Sequence, residues 1–371
     1  MSMYSWRYTL RADTGGDRTR ARRARDPGRD RAASAPRRQG ARPGARDDDV
    51  VGEAEVPSLR GRVVVLAGPG VLDAGAVTAL RAFAAAGDLG VANTWGAKGV
   101  FAWDSPHHLG TCGLQAGDFE LLGFAEADTI VCVGLDDDES PRARVALAPT
   151  VDVAPDALGA ATGRVERVGA PLPNDLYPRL AAIAQPGYVD DKVPLHPARA
   201  VADLGAMLPD GGFLSADPGV AGLWVARTFP TPALAPGAPQ RVVVPARREP
   251  AAAFRRALAA ARFGRPAIAV TTEPLDDATA SAIDAVAAEP VSLVVEVWTA
   301  RGHIPHADDH RAEVAAALTA KTPRVLDVPV CLDDTGLLLA AAGDVVAWGG
   351  LEPASAPRPT PPGRTATGGR E

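Results

Sequence analysis

Lysine is nearly missing from this sequence. Lys98, Lys192 and Lys321 are the whole supply, and every other basic residue is arginine. Cysteine is almost as scarce. Cys112, Cys132 and Cys331 are odd in number, lie far apart and form no CxxC pair. That usage excludes a disulfide framework or a thiolate zinc site and points to reduced thiols in a cytoplasmic protein. No run of 18 or more apolar residues occurs, so nothing reads as a membrane span. The basic N-terminus is not followed by an apolar stretch, so it does not read as a secretory signal. GxSxG, a Walker loop and a Cys–His pairing of recognisable spacing are all lacking.

What is present suits two domains. The 371 residues are 46% hydrophobic, enough for a sizeable core. The net charge of −6 hides an asymmetry, because residues 1–46 carry 13 Arg and 4 Asp, a net of +9, which leaves −15 on residues 47–371. An acidic body is a poor partner for a phosphate backbone, so nucleic acid is not expected as a ligand. Residues 1–55 have almost no apolar periodicity and cannot bury enough surface to offset their ordering entropy, so they read as a disordered Arg-rich tail. Residues 354–371, rich in Pro, Thr and Gly, read as a second tail.

Between the tails, strands and helices alternate. Strands are predicted at 62–67, 89–93, 129–134 and 150–154, with a helix at 74–86 spaced by Val77, Leu80 and Phe83. A Pro-rich connector around 171–197 follows, and the pattern restarts with a helix from His196-Pro197 to Met207. Further strands are predicted at 213–216, 241–245, 267–272, 291–297 and 324–328, with helices at 251–262 and 277–288. Near-continuous apolar strands between helices imply parallel sheets covered on both faces. The expected fold is therefore α/β, with two parallel-sheet three-layer domains at 56–185 and 186–353.

The most specific stretch is NTWGAKGVFAWDSPHHLGTCGLQ at 93–115, preceded by VLAGPG at 65–70 and followed by EADTIVCVG at 126–134 and VDVAP at 151–155. In order and spacing it resembles the central domain of thiamine-diphosphate-dependent enzymes such as acetolactate synthase and oxalyl-CoA decarboxylase. The resemblance implies a Rossmann-like domain whose glycine turn faces the ADP part of FAD in some relatives, and ADP or nothing in others. Pro69 lacks an N–H, so GPG alone is a weak phosphate cue. His107 and His108 fall where relatives place a proline-flanked turn and are read as structural. Downstream, SADPGVAGLW at 215–224 resembles, more faintly, the segment beside the cofactor in the family's diphosphate-binding domain.

Here the resemblance also shows losses. Relatives hold Mg²⁺ and the diphosphate with an aspartate between glycines and a later asparagine, oxygen ligands suited to a hard cation. This sequence has AIAVTTEP at 267–274 and VWTARG at 297–302 instead, and PARREP at 245–250 where relatives carry a glycine-rich loop. Relatives also begin with a pyrimidine-binding domain carrying an activating glutamate, and the Arg-rich tail stands in that place. The resemblance thus implies a degenerate site and a scaffold or regulatory subunit rather than a self-sufficient catalyst. Alternatives are half of a split carboligase or decarboxylase completed by a pyrimidine-domain subunit, and a nucleotide-binding module. Candidate cofactor-binding residues are Gly68, Gly70, Asn93, Lys98, Asp217 and Gly219, with no catalytic residue and no metal ligand named. No cofactor is expected on the isolated chain. Thiamine diphosphate with Mg²⁺ is expected only with a partner, while FAD or ADP would go to the central domain. A homodimer or a pyrimidine-domain heteromer is expected, and no membrane. His303, His306 and His310, with Asp308 and Asp309, form one further cluster whose spacing could bring the histidines to one helical face. Glu273, Asp276 and Asp277 lie where a substitute metal ligand would be needed.

Overall fold

A computed structural model describes residues 58–166 and 174–351. Both expected tails, and part of the Pro-rich connector, lie outside the described residues. The described residues form two five-stranded sheets, and every ladder in them is parallel. The first runs β3-β2-β1-β4-β5, from β1 (Val63–Ala67), β2 (Gly90–Thr94), β3 (His108–Cys112), β4 (Thr129–Val133) and β5 (Thr150–Val153). The second runs β10-β9-β8-β6-β7, from β6 (Phe213–Ala216), β7 (Val242–Val243), β8 (Ala267–Thr271), β9 (Leu293–Thr299) and β10 (Arg324–Pro329).

Helices of eight residues or more are numbered here. They are α1 (Val77–Gly87), α2 (Leu176–Tyr188), α3 (Pro197–Met207), α4 (Val220–Thr228), α5 (Ala252–Arg262), α6 (Asp277–Val286), α7 (Ala307–Thr319) and α8 (Thr335–Ala342). None of the described helices is long and apolar enough to cross a membrane.

The period-two pleat explains the layers. In β1 every residue is buried, with Val63 and Val65 facing Leu80, Phe83 and Ala84 of α1. Val64 and Leu66 face the opposite way, onto Phe119, Leu122 and Phe124. The second sheet repeats the division. Leu214, Ile268, Val270 and Val294 pack with Val201 and Leu204 of α3 and Trp224 of α4. Phe213, Ala267, Ala269 and Val295 pack with Phe254, Ala257 and Leu258 of α5. Each such Val, Leu or Phe contributes about 1.5–3 kcal/mol when fully buried, so the continuous apolar strands drive the three-layer arrangement.

One strand was missed in the sequence. His108 does not sit in a turn but opens β3, which pairs with β2 through Val91↔His108 and Ala92↔Gly110. A register shift between Val91 and Ala92 accommodates it. The segment HLGTC has only two apolar side chains and a glycine, so its period is too weak to read. The partner strand, not local propensity, makes it a strand.

The sheets are joined by buried polar contacts. Arg227 on α4 donates to Thr111 O at 2.7 Å and Gln115 Oε1 at 2.9 and 3.1 Å, and pairs with Asp118 at 2.5 Å. Gln115 in turn donates to Leu338 O (2.8 Å) and Gly343 O (2.7 Å) around the end of α8.

Candidate functional site

In open parallel sheets ligands settle beyond the carboxyl ends of the strands, where the strand order reverses. The first sheet reverses between β1 and β4. There Gly68 N donates to Val133 O at 2.8 Å and Gly70 N to Gly134 O at 2.9 Å. A Cβ on Gly68 would stand 2.3 Å from Gly134 O, and one on Gly70 would stand 2.9 Å from Gly134 Cα. These two glycines therefore let the chain after β4 cross the turn after β1, and their amides are consumed by that crossing. The following helical turn, Gly70–Asp73, is only four residues long.

Asn93 and Lys98 lie farther along the same edge, and both are buried. Asn93 donates from Nδ2 to Thr94 O at 2.8 Å. Lys98 donates from Nζ to Ala226 O at 2.8 Å, near the carboxyl end of α4, where a cation is favoured. Burial, with Arg227 adding repulsion, holds its ammonium down to about 7. Burial and Lys98 in turn press His108 to about 3, and its buried Nδ1 has no partner among the described residues. The lysine is thus a link between the two sheets.

The second sheet reverses between β6 and β8, and here Asp217 and Gly219 take their places. Gly219 opens α4 with a φ of 133°, a conformation that side chains rarely adopt. The Asp217 carboxylate accepts from Ala253 N, in the first turn of α5, at 2.8 Å. Burial raises its pKa, against the lowering effect of that amide and of Thr271. Asp217, Thr271, Glu273 and Asp276 line a cleft of about 80 Å³, closed otherwise by Pro250, Phe254 and Leu275 among others. Asp276 is also engaged, capping α6 by accepting from Thr279 N at 2.6 Å.

The structure therefore brings Asp217 to Glu273 and Asp276, while Gly68, Gly70, Asn93 and Lys98 belong to the other sheet. It separates the three histidines. α7 begins only at Ala307, with His306 as its N-cap residue. His303 and His306 are exposed, whereas His310 is buried between Asp203 (3.1 Å) and Glu296 (2.9 Å). No group of three or more His, Cys, Asp and Glu that could hold a metal ion occurs among the described residues.

A larger opening went unread in the sequence. It lies between the loop after β4, the loop after β7 and the segment beyond α8, with Glu139, Arg144, Arg247, Arg248 and Trp348 on its walls. The only signal for it was the ARR at 246–248, read as a glycine loop lost rather than as residues gained.

The comparisons agree with this geometry. Residues 59–176, which hold β1–β5, match the model of the thiamine pyrophosphate enzyme central domain. Among solved structures, the chain is similar to the X-ray structure of a Mycobacterium smegmatis protein assigned to the thiamin diphosphate-dependent enzymes. The TM-score is 0.54 and the identity 17%, over 72% of this chain and 61% of that one, so the likeness is one of fold. No curated protein sequence matches. Residues 59–176 of this chain thus match a thiamine pyrophosphate enzyme central domain, and the described residues fold as two parallel-sheet α/β layers.

Proposed function

We propose that this chain is a thiamine-diphosphate-enzyme-like protein that does not hold thiamine diphosphate by itself and serves as a scaffold or regulatory subunit. The observation that carries the reading is the hydrogen bond from Ala253 N to the Asp217 carboxylate. First-turn amides of a helix are where a phosphate would be received. Here the chain supplies its own anion to α5, and a diphosphate arriving there would meet a carboxylate instead of a free donor.

The surrounding residues support the same reading. The cleft, about 80 Å³, is small beside the several hundred cubic ångströms typical of small-molecule sites. Its lining contains no lysine or arginine. Pro274 stiffens the turn after β8, and Asp276 is spent on its helix cap. Carboxylate oxygens are the ligands a hard divalent cation takes, and of the cleft's three acids Asp217 and Asp276 already accept backbone amides.

Calorimetry of the chain with thiamine diphosphate and Mg²⁺ tests the reading. No saturable heat at micromolar concentrations is expected. Micromolar binding to the chain alone would overturn it. Binding that emerges only with a pyrimidine-domain chain would assign the protein to a split enzyme instead.

A further inference from the structure

The opening between the two sheets has a volume of about 360 Å³, within the few-hundred-ångström-cubed range typical of small-molecule sites. We propose that it binds a small organic anion, a carboxylate or phosphate head on a flat apolar body. The inference goes beyond the preceding section, because this opening is distinct from the cleft at Asp217.

Three guanidinium groups line it against two acids, Asp138 and Glu139. Arg247 closes the rim by pairing with Asp138 at 2.6 Å, and Arg248 donates to Gly350 O at 2.6 Å. Arg144 is the underused one. Among the described residues its guanidinium has two contacts of 3.4 Å to one acceptor, Gly113 O, and lies 5.9 Å from the Phe119 ring. A guanidinium carries five donors, and its charge-assisted bonds run at about 2.7–2.9 Å. Arg144 therefore has unspent capacity for an anionic head, preferably one that accepts two parallel bonds.

Glu139 stands on the same wall and is buried. Its Oε2 accepts from the Thr94 hydroxyl at 2.5 Å and from Gly96 N at 3.2 Å. Burial lifts its pKa to about 7, the neighbouring Asp136 and Asp138 adding to the rise and the two hydrogen bonds opposing it. A carboxyl so placed subtracts little from the positive character of the opening and in its protonated form offers an O–H.

The flat body is argued from Trp348. Its backbone lies at φ 57°, ψ 17°, in the left-handed region. A non-glycine residue held there costs on the order of 1–3 kcal/mol, and such strain gathers at ligand sites. The indole is fixed by its Nε1 donating to Pro245 O at 2.9 Å and by edge contact with Trp95, centroids 5.5 Å apart. Behind this wall, the Ser140 hydroxyl and the Trp95 indole N–H are buried with no partner among the described residues.

Calorimetry of the full chain, without thiamine diphosphate or Mg²⁺, with naphthoate, naphthyl phosphate and the uncharged naphthalenemethanol tests the proposal. Saturable binding of at least one anion is expected, the tighter of the two naming the head group. The uncharged twin should bind roughly tenfold more weakly, as the loss of a charge-assisted bond implies. Arg144→Gln should weaken the anion by about the same factor and leave the uncharged twin unchanged. Arg247→Gln, at a side chain 74% exposed, keeps the test usable if the first variant does not fold. Failure of both anions to bind, equal binding of the uncharged twin, or indifference to both substitutions would overturn the site. Because no cofactor is present in the cell, these outcomes are independent of those for the cleft at Asp217.

Discussion

His310 shows how much a single buried side chain depends on its neighbours. Burial alone would lower its pKa, yet Glu296 and Asp203 on either side raise it to about 9. Asp203 is held down in return by His310 and Arg311, against the desolvation that would raise it. An unfolded imidazole titrates near 6.5. The stability lent by this proton is therefore complete below about 6.5 and is lost as the pH rises through about 9. The gap in urea midpoint between the native chain and His310→Gln should narrow across that window. In an NMR titration the His310 ring should change well above the ordinary histidine range, and a midpoint near the unfolded value would show that the two carboxylates do not hold the proton. Gly68 makes a different residue-scale case. An added methyl would sit 2.3 Å from Gly134 O, a backbone atom that cannot step aside. Gly68→Ala should cost about 1–3 kcal/mol or more by thermal unfolding, as overpacking does. Gly159, helical and with nothing within 4 Å of its missing Cβ, is the contrast. Gly159→Ala should gain roughly 0.5–1 kcal/mol, and a loss there comparable to Gly68→Ala would show that contact with Gly134 is not the cause.

At the scale of elements, α4 is the piece that makes one body of two sheets. Its amino end is set by Gly219 and its carboxyl end takes Lys98 at Ala226 O. From its last turn Arg227 reaches Asp118, both side chains fully buried. Asp118 also receives Leu114 N at 2.8 Å and Gln115 N at 3.0 Å, so the loop after β3 is organised around its carboxylate. Removing one partner of a buried pair leaves an uncompensated charge, which costs about 3–5 kcal/mol. Arg227→Ala should lose that much in urea unfolding, and Asp118→Ala a similar amount. The double variant should lose distinctly less than the sum, because each single change already strands the other group. Additive losses would mean that the pair contributes nothing of its own.

For the whole molecule we propose self-association or a heteromer, the assembly that the resemblance to thiamine-diphosphate-dependent enzymes implies. Sedimentation velocity at micromolar concentration should show a species larger than the monomer, alone or with a pyrimidine-domain chain. A strict monomer under both conditions would count against the idea. The acidic body, −15 over residues 47–371, makes any such interface salt-sensitive if charged surfaces meet in it.

The alternation of apolar runs was enough to place nine of the ten strands, because a strand covered on both faces must be apolar at successive positions, as VVVLA in β1 is. The glycine turn after β1, the EAD run before β4 and the DPG before α4 were legible through the family resemblance, and the glycines among them also answer a local backbone requirement. β3 was not, because HLGTC becomes a strand only by pairing with β2. Nor could spacing show that His303, His306 and His310 point apart, which depends on where α7 starts and on Asp203 and Glu296 arriving from α3 and β9. Spacing likewise left unread that Asp217 occupies the first amides of α5, and that Glu139, Arg144, Arg247 and Trp348 share one opening. Those facts join residues about 36 to more than 200 positions apart. Local pattern determines which segments become strands and helices. Only the closing of the chain on itself decides which side chains meet, because contact across such separations is set by packing rather than by sequence period.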